Sequence, residues 1–588
     1  MISSFRMRLI AAMFPKLRKV ILTSGEIIDV SDGVTAIVGP NNAGKSLLLS
    51  ELQRWITMSP GQQPAPPMLV LGNIEAEVPT VEDFNAWLTK TCLHRGPGFY
   101  LPSGQIPYPH FVLPNNNLIL DNQVPQLVNS SGRLSILGNA FTFYAGAGGT
   151  RDMANGTGTV NMQELPQNPL QHLYLSRELE NEISSLVKRA FNVPLVVNRY
   201  GGSQINVHLG SVSAPETPPP GTKEYLAEIT ALPQVQTQGD GVKAFIGMLL
   251  AIRTADYKIL LIDEPETFLH PPQAYLLGQI LAEQHDRNTQ VVVATHSSDI
   301  IQGLTSARAS VGAVSIVRLT RKDNVNHVAQ LSMHEMRGLY GDPLIKYYSI
   351  LDGLFSHGAV VCESDSDCTY YRAVLDSIGT LEDGTPASSI SLHFTHCSGK
   401  ARLPKAIRAL RAAKVPVACV VDIDILQNEN EFKDLIASCG DAPENYMPLR
   451  KIVASAVSSR DERLERAKVK AELNQLLDSK RSSDLSTNEL SRLTAALKPK
   501  NGWRQFKLAG YRLLSGEARI SFDKLVTALR QLGIFMVDVG ELERFHPEVS
   551  ADNKAEWLRT VLEQKLYEKS IESKKFVTAI ASSILQRQ

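Results

Sequence analysis

The chain has 588 residues, too many for one hydrophobic core, and its length predicts roughly two to four domains. Its 60 lysines and arginines balance 60 aspartates and glutamates, so net charge points to no nucleic-acid or membrane partner and any basic surface must be local. Six scattered cysteines, Cys92, Cys362, Cys368, Cys397, Cys419 and Cys439, form no CxxC pair and several lie in apolar runs, which argues against a zinc ribbon or disulfide framework and for reduced, buried thiols.

The opening "MISSFRMRLIAAMFPKLRKVIL" has only a short apolar patch, lacks a cleavage site and runs into a basic segment. No apolar run reaches the length of about 18 residues that a membrane-spanning helix needs. The expectation is a soluble, cytoplasmic protein with no membrane contact.

Residues 18–38 read as strands, "KVILTSGEIIDV" and then "GVTAIVG", followed by a glycine-rich turn and a helix from Lys45 to about Met58. From 59 to 170 the chain is rich in Pro, Gly, Asn and Gln, which predicts long loops or an insertion. "SRELENEISSLVKRAFN" has helical spacing, and "PLVVNRYGGSQINVHLGSV" reads as two strands around a turn. Residues 241–300 alternate helix, strand, helix, strand, the pattern of a parallel α/β sheet. A fresh α/β pattern begins near 358 and returns at 415–425 and 533–539, with a charged, mostly helical stretch before the last strand.

"GPNNAGKS", Gly39–Ser46, fits GxxxxGKS between an apolar strand and a helix. That context lets backbone N–H groups point at phosphate oxygens. Lys45 would neutralise the β and γ phosphates of ATP and Ser46 would hold Mg²⁺, with Gly39, Asn41, Asn42, Gly44 and Leu47 completing the candidate contacts. "KILLIDEPETFLHP" adds Asp263 for the magnesium shell and Glu264 as the base or water-positioning group. "VVVATHSSDI" ends another apolar strand on His296, where an imidazole could sense the γ-phosphate. A lone histidine there is more often structural, but three motifs in this order support one another.

At this point the chain resembles the ABC-type ATPases, especially the branch of recombination and chromosome-maintenance ATPases. In that resemblance "TQGDGVKAF" (237–245) stands at the signature position and keeps only Gly239, Asp240 and Gly241, while a Q-loop glutamine has several candidates. Such heads close two nucleotides between two copies, so the resemblance implies a homodimer or higher homo-oligomer.

"GAVVCESDSDCTYYRAVLD" (358–376) sets Glu363, Asp365 and Asp367 where a strand passes into a helix, and "VACVVDIDIL" (417–426) ends on Asp422 and Asp424. Parallel strands would bring Glu363, Asp367, Asp422 and Asp424 to one sheet edge, where they repel unless Mg²⁺ or Mn²⁺ sits among them. Solvated acids at strand ends are the plainer alternative. The Glu-plus-DxD arrangement resembles a TOPRIM domain, departing from it at Ser364, where that family more often has glycine.

An ATPase head followed by a TOPRIM domain resembles the OLD family of nucleases. That resemblance implies further acids after "GIFMVDV", matched by Glu541 and Glu543, and a lysine beyond them, matched by Lys554. On this basis the expected architecture is α/β: an ABC-type ATPase domain over 1–345, with an insertion at about 59–235 that includes a dimerisation segment, then a TOPRIM nuclease domain over 346–588 with a helical insertion at about 440–530. The activity implied is two-metal cleavage of DNA, regulated by nucleotide, with Lys554 countering charge that develops on the phosphorane. The setting implied is bacterial defence against phage. Some relatives act with a helicase-like partner, others as the effector of a retron with its reverse transcriptase and small DNA, and the residues do not choose between them.

Lys400, Arg402, Lys405, Arg408, Arg411 and Lys414 lie in an acid-free stretch just before the DxD strand. "KPKNGWRQFKLAGYR" mixes basic residues with Trp503, Phe506 and Tyr511. Both read as candidate DNA surfaces, phosphate contact in the first and base stacking in the second, or simply as solvated helix faces. Two rivals to the nuclease stand beside it: an ATP-driven scaffold or sensor that binds nucleic acid without cutting, and a topoisomerase-like or primase-like enzyme.

Overall fold

A computed structural model describes residues 16–587 apart from 97–98, 102–103, 107, 114–116, 129–130, 161–165, 218–220, 255–256, 307–312, 333–348, 398, 462–465, 478–485, 497–500 and 552. The apolar opening patch, within residues 1–15, therefore lies outside the described residues, as do Lys498 and Lys500 of the second basic stretch. The chain divides into two compact units, Met1–Asp342 and Pro343–Gln588.

In the first unit β1 (Lys16–Leu22) and β2 (Ile27–Asp29) form a hairpin. Next comes β3 (Val34–Val38), buried along its whole length, which leads through the glycine-rich turn into α1 (Lys45–Thr57). The Pro- and Gly-rich region from 59 to 170 is not simply loop. It supplies β4 (Leu71–Glu77), which pairs with β1, and β5 (Thr142–Ala145), which joins the main sheet. β5 is only four residues long, too short to show a period of its own, and gains its place by lying parallel to a buried neighbour.

Then follow α2 (Arg177–Phe191) and the antiparallel pair β6 (Leu195–Asn198) and β7 (Gln204–Leu209). After them come α3 (Asp240–Arg253), β8 (Ile259–Asp263), α4 (Pro271–Ala282), β9 (Gln290–Ala294), α5 (Ser298–Ser306), β10 (Val314–Lys322) and β11 (Val325–Ser332). The main sheet runs β5-β8-β9-β3-β10-β11, parallel throughout except for β11. β3, β8 and β9 are buried at every position, as expected of parallel strands covered on both faces. Their C-terminal ends therefore share one edge, which is where a parallel sheet gathers its ligand-binding loops.

A buried carboxylate ties this unit together. Glu51, on α1 and 2% exposed, accepts hydrogen bonds from the backbone N–H groups of Leu69 (2.6 Å), Val70 (2.9 Å) and Leu71 (2.8 Å), fixing the start of β4 against the helix.

The second unit opens with β12 (Gly358–Cys362), α6 (Asp365–Asp376), β13 (Leu392–His396), α7 (Leu403–Ala412) and β14 (Val417–Asp422). The helical stretch that follows includes α8 (Met447–Ser458), α9 (Gly502–Ala509) and α10 (Gly516–Leu532). β15 (Ile534–Val537), α11 (Lys554–Glu563) and α12 (Ile571–Gln586) complete it. Its sheet is fully parallel in the order β13-β12-β14-β15. Tyr370, Tyr371, Phe535 and Trp557 fill the core beside it. All six cysteines are buried and none is in a disulfide. Among the described residues no helix is long and apolar enough to cross a membrane.

The stacking role expected of Trp503 and Phe506 is not met. Trp503 is 8% exposed and Phe506 is fully buried, because the eight residues of α9 direct their aromatic side toward the core.

Arg587 closes the unit by laying its guanidinium on backbone carbonyls at the end of α10, with Nη1 2.8 Å from Leu532 O and Nη2 2.6 Å from Gln531 O. These carbonyls have no partner within the helix, so the guanidinium acts as a cap. Arg587→Ala is expected to destabilise the second unit by about 1–3 kcal/mol without altering its secondary structure, as measured by denaturant melts followed by circular dichroism.

Candidate nucleotide site and carboxylate centre

The glycine-rich turn leaves β3 through Gly39, at φ 146°, where a Cβ would meet the carbonyl oxygen of Leu319 at 2.0 Å. Only glycine fits so near β10. Asn41, Asn42 (φ 64°) and Gly44 (φ 91°) form the bend, and the Asn326 amide steadies it by donating to Ala43 O at 2.7 Å. Leu47 packs against the core below.

Lys45 is 5% exposed and donates to the carbonyls of Gly39 and Pro40, both at 2.9 Å. Burial lowers its pKa to about 8, against the opposing pull of Glu264, Asp263 and Glu266. Its ammonium is bound only by carbonyl dipoles, so an arriving phosphate would be its strongest partner. Ser46 Oγ donates to Asp263 Oδ1 at 3.0 Å, joining the start of α1 to the end of β8. Burial raises the pKa of Asp263, and the charge of Glu264 adds to the effect. A divalent cation would relieve both.

Glu264 has φ 47°, an uncommon backbone state for a residue with a side chain, and its carboxylate lies 3.7 Å from His296 Nε2. Burial, and then the charge of Lys45, lower the pKa of His296. Sequence reasoning overlooked Glu266. This half-buried acid accepts from Thr295 Oγ1 at 2.8 Å and from His296 N–H at 2.7 Å, and so holds the histidine loop to the β8 loop. The only sequence signal was a second glutamate two residues after Glu264. In the signature segment Gly239 caps α3, Gly241 lies in its first turn, and Asp240 pairs with Lys243 at 2.8 Å and Arg151 at 3.8 Å.

In the second unit Glu363 follows β12, Asp422 ends β14, and Asp424 lies in the next turn. One carboxylate oxygen from each lies within 4.8 Å of the others. Burial and the charge of Asp422 push Glu363 up to about 7, with Lys400 opposing, and burial pushes Asp422 up to about 6 despite Lys507. Three hard oxygen donors held this close have the chemistry of a divalent-cation site.

Asp367 stands apart from this trio. Its Oδ2 accepts from Ser364 N (2.9 Å) and Oγ (3.0 Å), capping α6, and its Oδ1 accepts from Lys554 Nζ at 2.9 Å. Ser364 has φ −136°, ordinary extended backbone, so this turn does not require glycine. Glu541 pairs with Arg544 at 3.1 Å, while the buried Glu543 exerts its charge on Lys554.

Two further lysines reach the centre. Lys400, expected on a DNA-facing helix surface, instead turns inward to bond Asp424 Oδ1, because it precedes α7 in a short 3-10 turn. Lys507, on α9, places Nζ 3.0 Å from Asp422 Oδ2, 3.5 Å from Asp424 Oδ2 and 3.8 Å from Glu541 Oε2. Arg402, Lys405, Arg408, Arg411 and Lys414 remain exposed.

Comparison with known proteins adds three findings. Residues 223–301 match a family model described as "AAA domain, putative AbiEii toxin, Type IV TA system". The chain is 23% identical over 287 residues to the Old nuclease of Escherichia phage P2, covering 45% of this chain and 47% of that protein. It is 26% identical over 191 residues to the OLD nuclease of Thermus scotoductus, covering 31% and 34%. The matches thus span about half the length of the first relative and about a third of the second. Among solved structures, an SMC head bound to the C-terminal winged-helix domain of ScpA aligns at 12% identity and a TM-score of 0.33, over 55% of this chain and 99% of that one. Over part of its length the chain is thus similar to an AAA-type ATPase domain and to two OLD nucleases.

Proposed function

We propose that the chain is a nucleotide-regulated, divalent-metal-dependent DNA endonuclease whose cutting site is the carboxylate centre of the second unit. The observation that carries this reading is the convergence of Glu363, Asp422 and Asp424 within 4.8 Å at one edge of a parallel sheet. In this reading the second unit is a TOPRIM domain. Glu363, Asp422 and Asp424 would hold one Mg²⁺ or Mn²⁺, and Asp367, Glu541 and Glu543 are the further acids that could serve a second. Metal bound there would lower the pKa of the attacking water and neutralise the leaving oxygen of a phosphodiester. Lys554, held by Asp367, carries positive charge beside the reacting phosphate.

The first unit binds Mg-ATP through Lys45, Ser46 and Asp263, with Glu264 and His296 facing the γ-phosphate. By the likeness to OLD nucleases, the protein works as a cytoplasmic homodimer in bacterial defence against phage, alone, with a partner defence protein, or with a retron reverse transcriptase and its small DNA. One observation favours the scaffold reading: both oxygens of Asp424 are already bonded to lysines, as a purely structural acid's would be.

Plasmid cleavage separates the two readings. Wild type with Mn²⁺ or Mg²⁺ is expected to nick supercoiled DNA, and Asp422→Ala with Asp424→Ala to reduce nicking at least a hundredfold. Equal cutting by both would remove the carboxylate centre from the chemistry. Lys45→Ala is expected to weaken ATP binding at least tenfold in a fluorescent-nucleotide titration, leaving the melting of the second unit unchanged.

A pH dependence follows from Glu363 near 7 and Asp422 near 6. Both exceed the ordinary carboxylate value, so the metal-free fold binds more protons than the unfolded chain and loses stability as pH rises from about 4 through 7. Cation replaces those protons. The Mn²⁺-induced rise in melting temperature should therefore grow between pH 5 and 8 and flatten in Glu363→Gln with Asp422→Asn. A pH-independent rise would count against a cation at these acids.

A further inference from the structure

Lys507 belongs to the helical stretch between β14 and β15, more than 80 residues after Asp422 and Asp424, yet its ammonium forms ion pairs with both of them and with Glu541. Its anchorage is built into the backbone. Gly540, at φ 125°, lies against the Lys507 carbonyl so closely that a Cβ would meet that oxygen at 2.1 Å, and a Cβ on Gly510 would lie 2.4 Å from the Val539 carbonyl. Tyr511 N–H donates to Asp538 O at 2.9 Å, and Ile423 N–H to Gly540 O at 3.1 Å. The end of α9, the loop bearing Glu541 and the turn bearing Asp424 are thus bonded into one frame. The root of the Lys507 side chain is fixed, and only its methylene stem is free to move.

The ammonium also occupies the oxygens a metal would need. Asp424 gives Oδ1 to Lys400 and Oδ2 to Lys507, while Asp422 gives Oδ2 to Lys507. A Mg²⁺ ion held by the same acids would lie close to that ammonium, and the two positive charges would repel and compete for the carboxylates.

We propose that Lys507 is the resident counter-cation of the carboxylate centre: it holds the acids together when metal is absent and must be displaced for metal to bind, so that α9 governs metal loading. This rests on the metal reading of the centre given above. Lys507 is a positioning residue here. A phosphodiester need not touch it.

The test is a calorimetric titration of Mn²⁺ into the full-length, EDTA-stripped protein. Lys507→Met keeps the stem and removes the charge, and should bind Mn²⁺ roughly tenfold or more tightly than wild type, because a unit charge among three carboxylates no longer competes. Lys507→Arg keeps the charge and should retain the wild-type affinity, which a loss of packing alone would not predict. Lys188→Met, at an exposed position of α2 in the first unit, serves as the control. Affinity unchanged or weakened in Lys507→Met, or raised equally in Lys507→Arg, overturns the inference while the metal reading stands. No binding by wild type or any variant overturns the metal reading and this inference with it. Should Lys507→Met melt without cooperativity, Lys507→Gln takes its place under the same criteria.

Discussion

Like charges forced together at the end of a parallel sheet are the constraint on which the second unit turns. β12, β14 and β15 run the same way, so the acids that follow them must meet at one edge, where burial makes their mutual repulsion costly. Two kinds of cation answer that repulsion: protons, which Glu363 and Asp422 hold more tightly than ordinary carboxylates do, and the ammonium groups of Lys400 and Lys507; the divalent metal we propose would be a third. The helices inserted before β15 make sense in this light, because one of them delivers a second lysine beside the one supplied by the turn before α7.

The first unit meets the same difficulty with the opposite sign. Lys45 is a buried cation whose only bonds are to carbonyls, near the acids of the β8 loop, and burial weakens its hold on its proton. An anionic phosphate with its magnesium would satisfy Lys45, Ser46 and Asp263 together. Glu266, binding both Thr295 and the backbone of His296, ties the histidine to the β8 loop, so a γ-phosphate met by one would be registered by the other.

The features legible in the sequence were those carried by a few adjacent residues. GxxxxGKS after a buried strand, DE after "ILLI" and DxD after "ACVV" each join an apolar run to polar residues at a strand end, and each lies where a parallel sheet opens. What escaped was set by distant partners. β5 is four residues among glycines and becomes a strand only because β8 lies beside it. Lys400 and Lys507 looked like ordinary basic residues of amphipathic stretches, since nothing local says that a lysine at 507 will meet an aspartate at 422. The same blindness misread Trp503 and Phe506: spacing within an eight-residue helix shows that one side is aromatic, not whether that side meets solvent or core.

The three backbone bonds received by Glu51 bear on motion as well as stability. A carboxylate gripped by successive N–H groups cannot slide without breaking several bonds at once, so α1 and the start of β4 travel as a rigid lever. One end of that lever carries Lys45 and Ser46, and the other pulls on the small antiparallel sheet through β1. Were the helix to tilt on taking up or losing phosphate, that sheet would be carried with it.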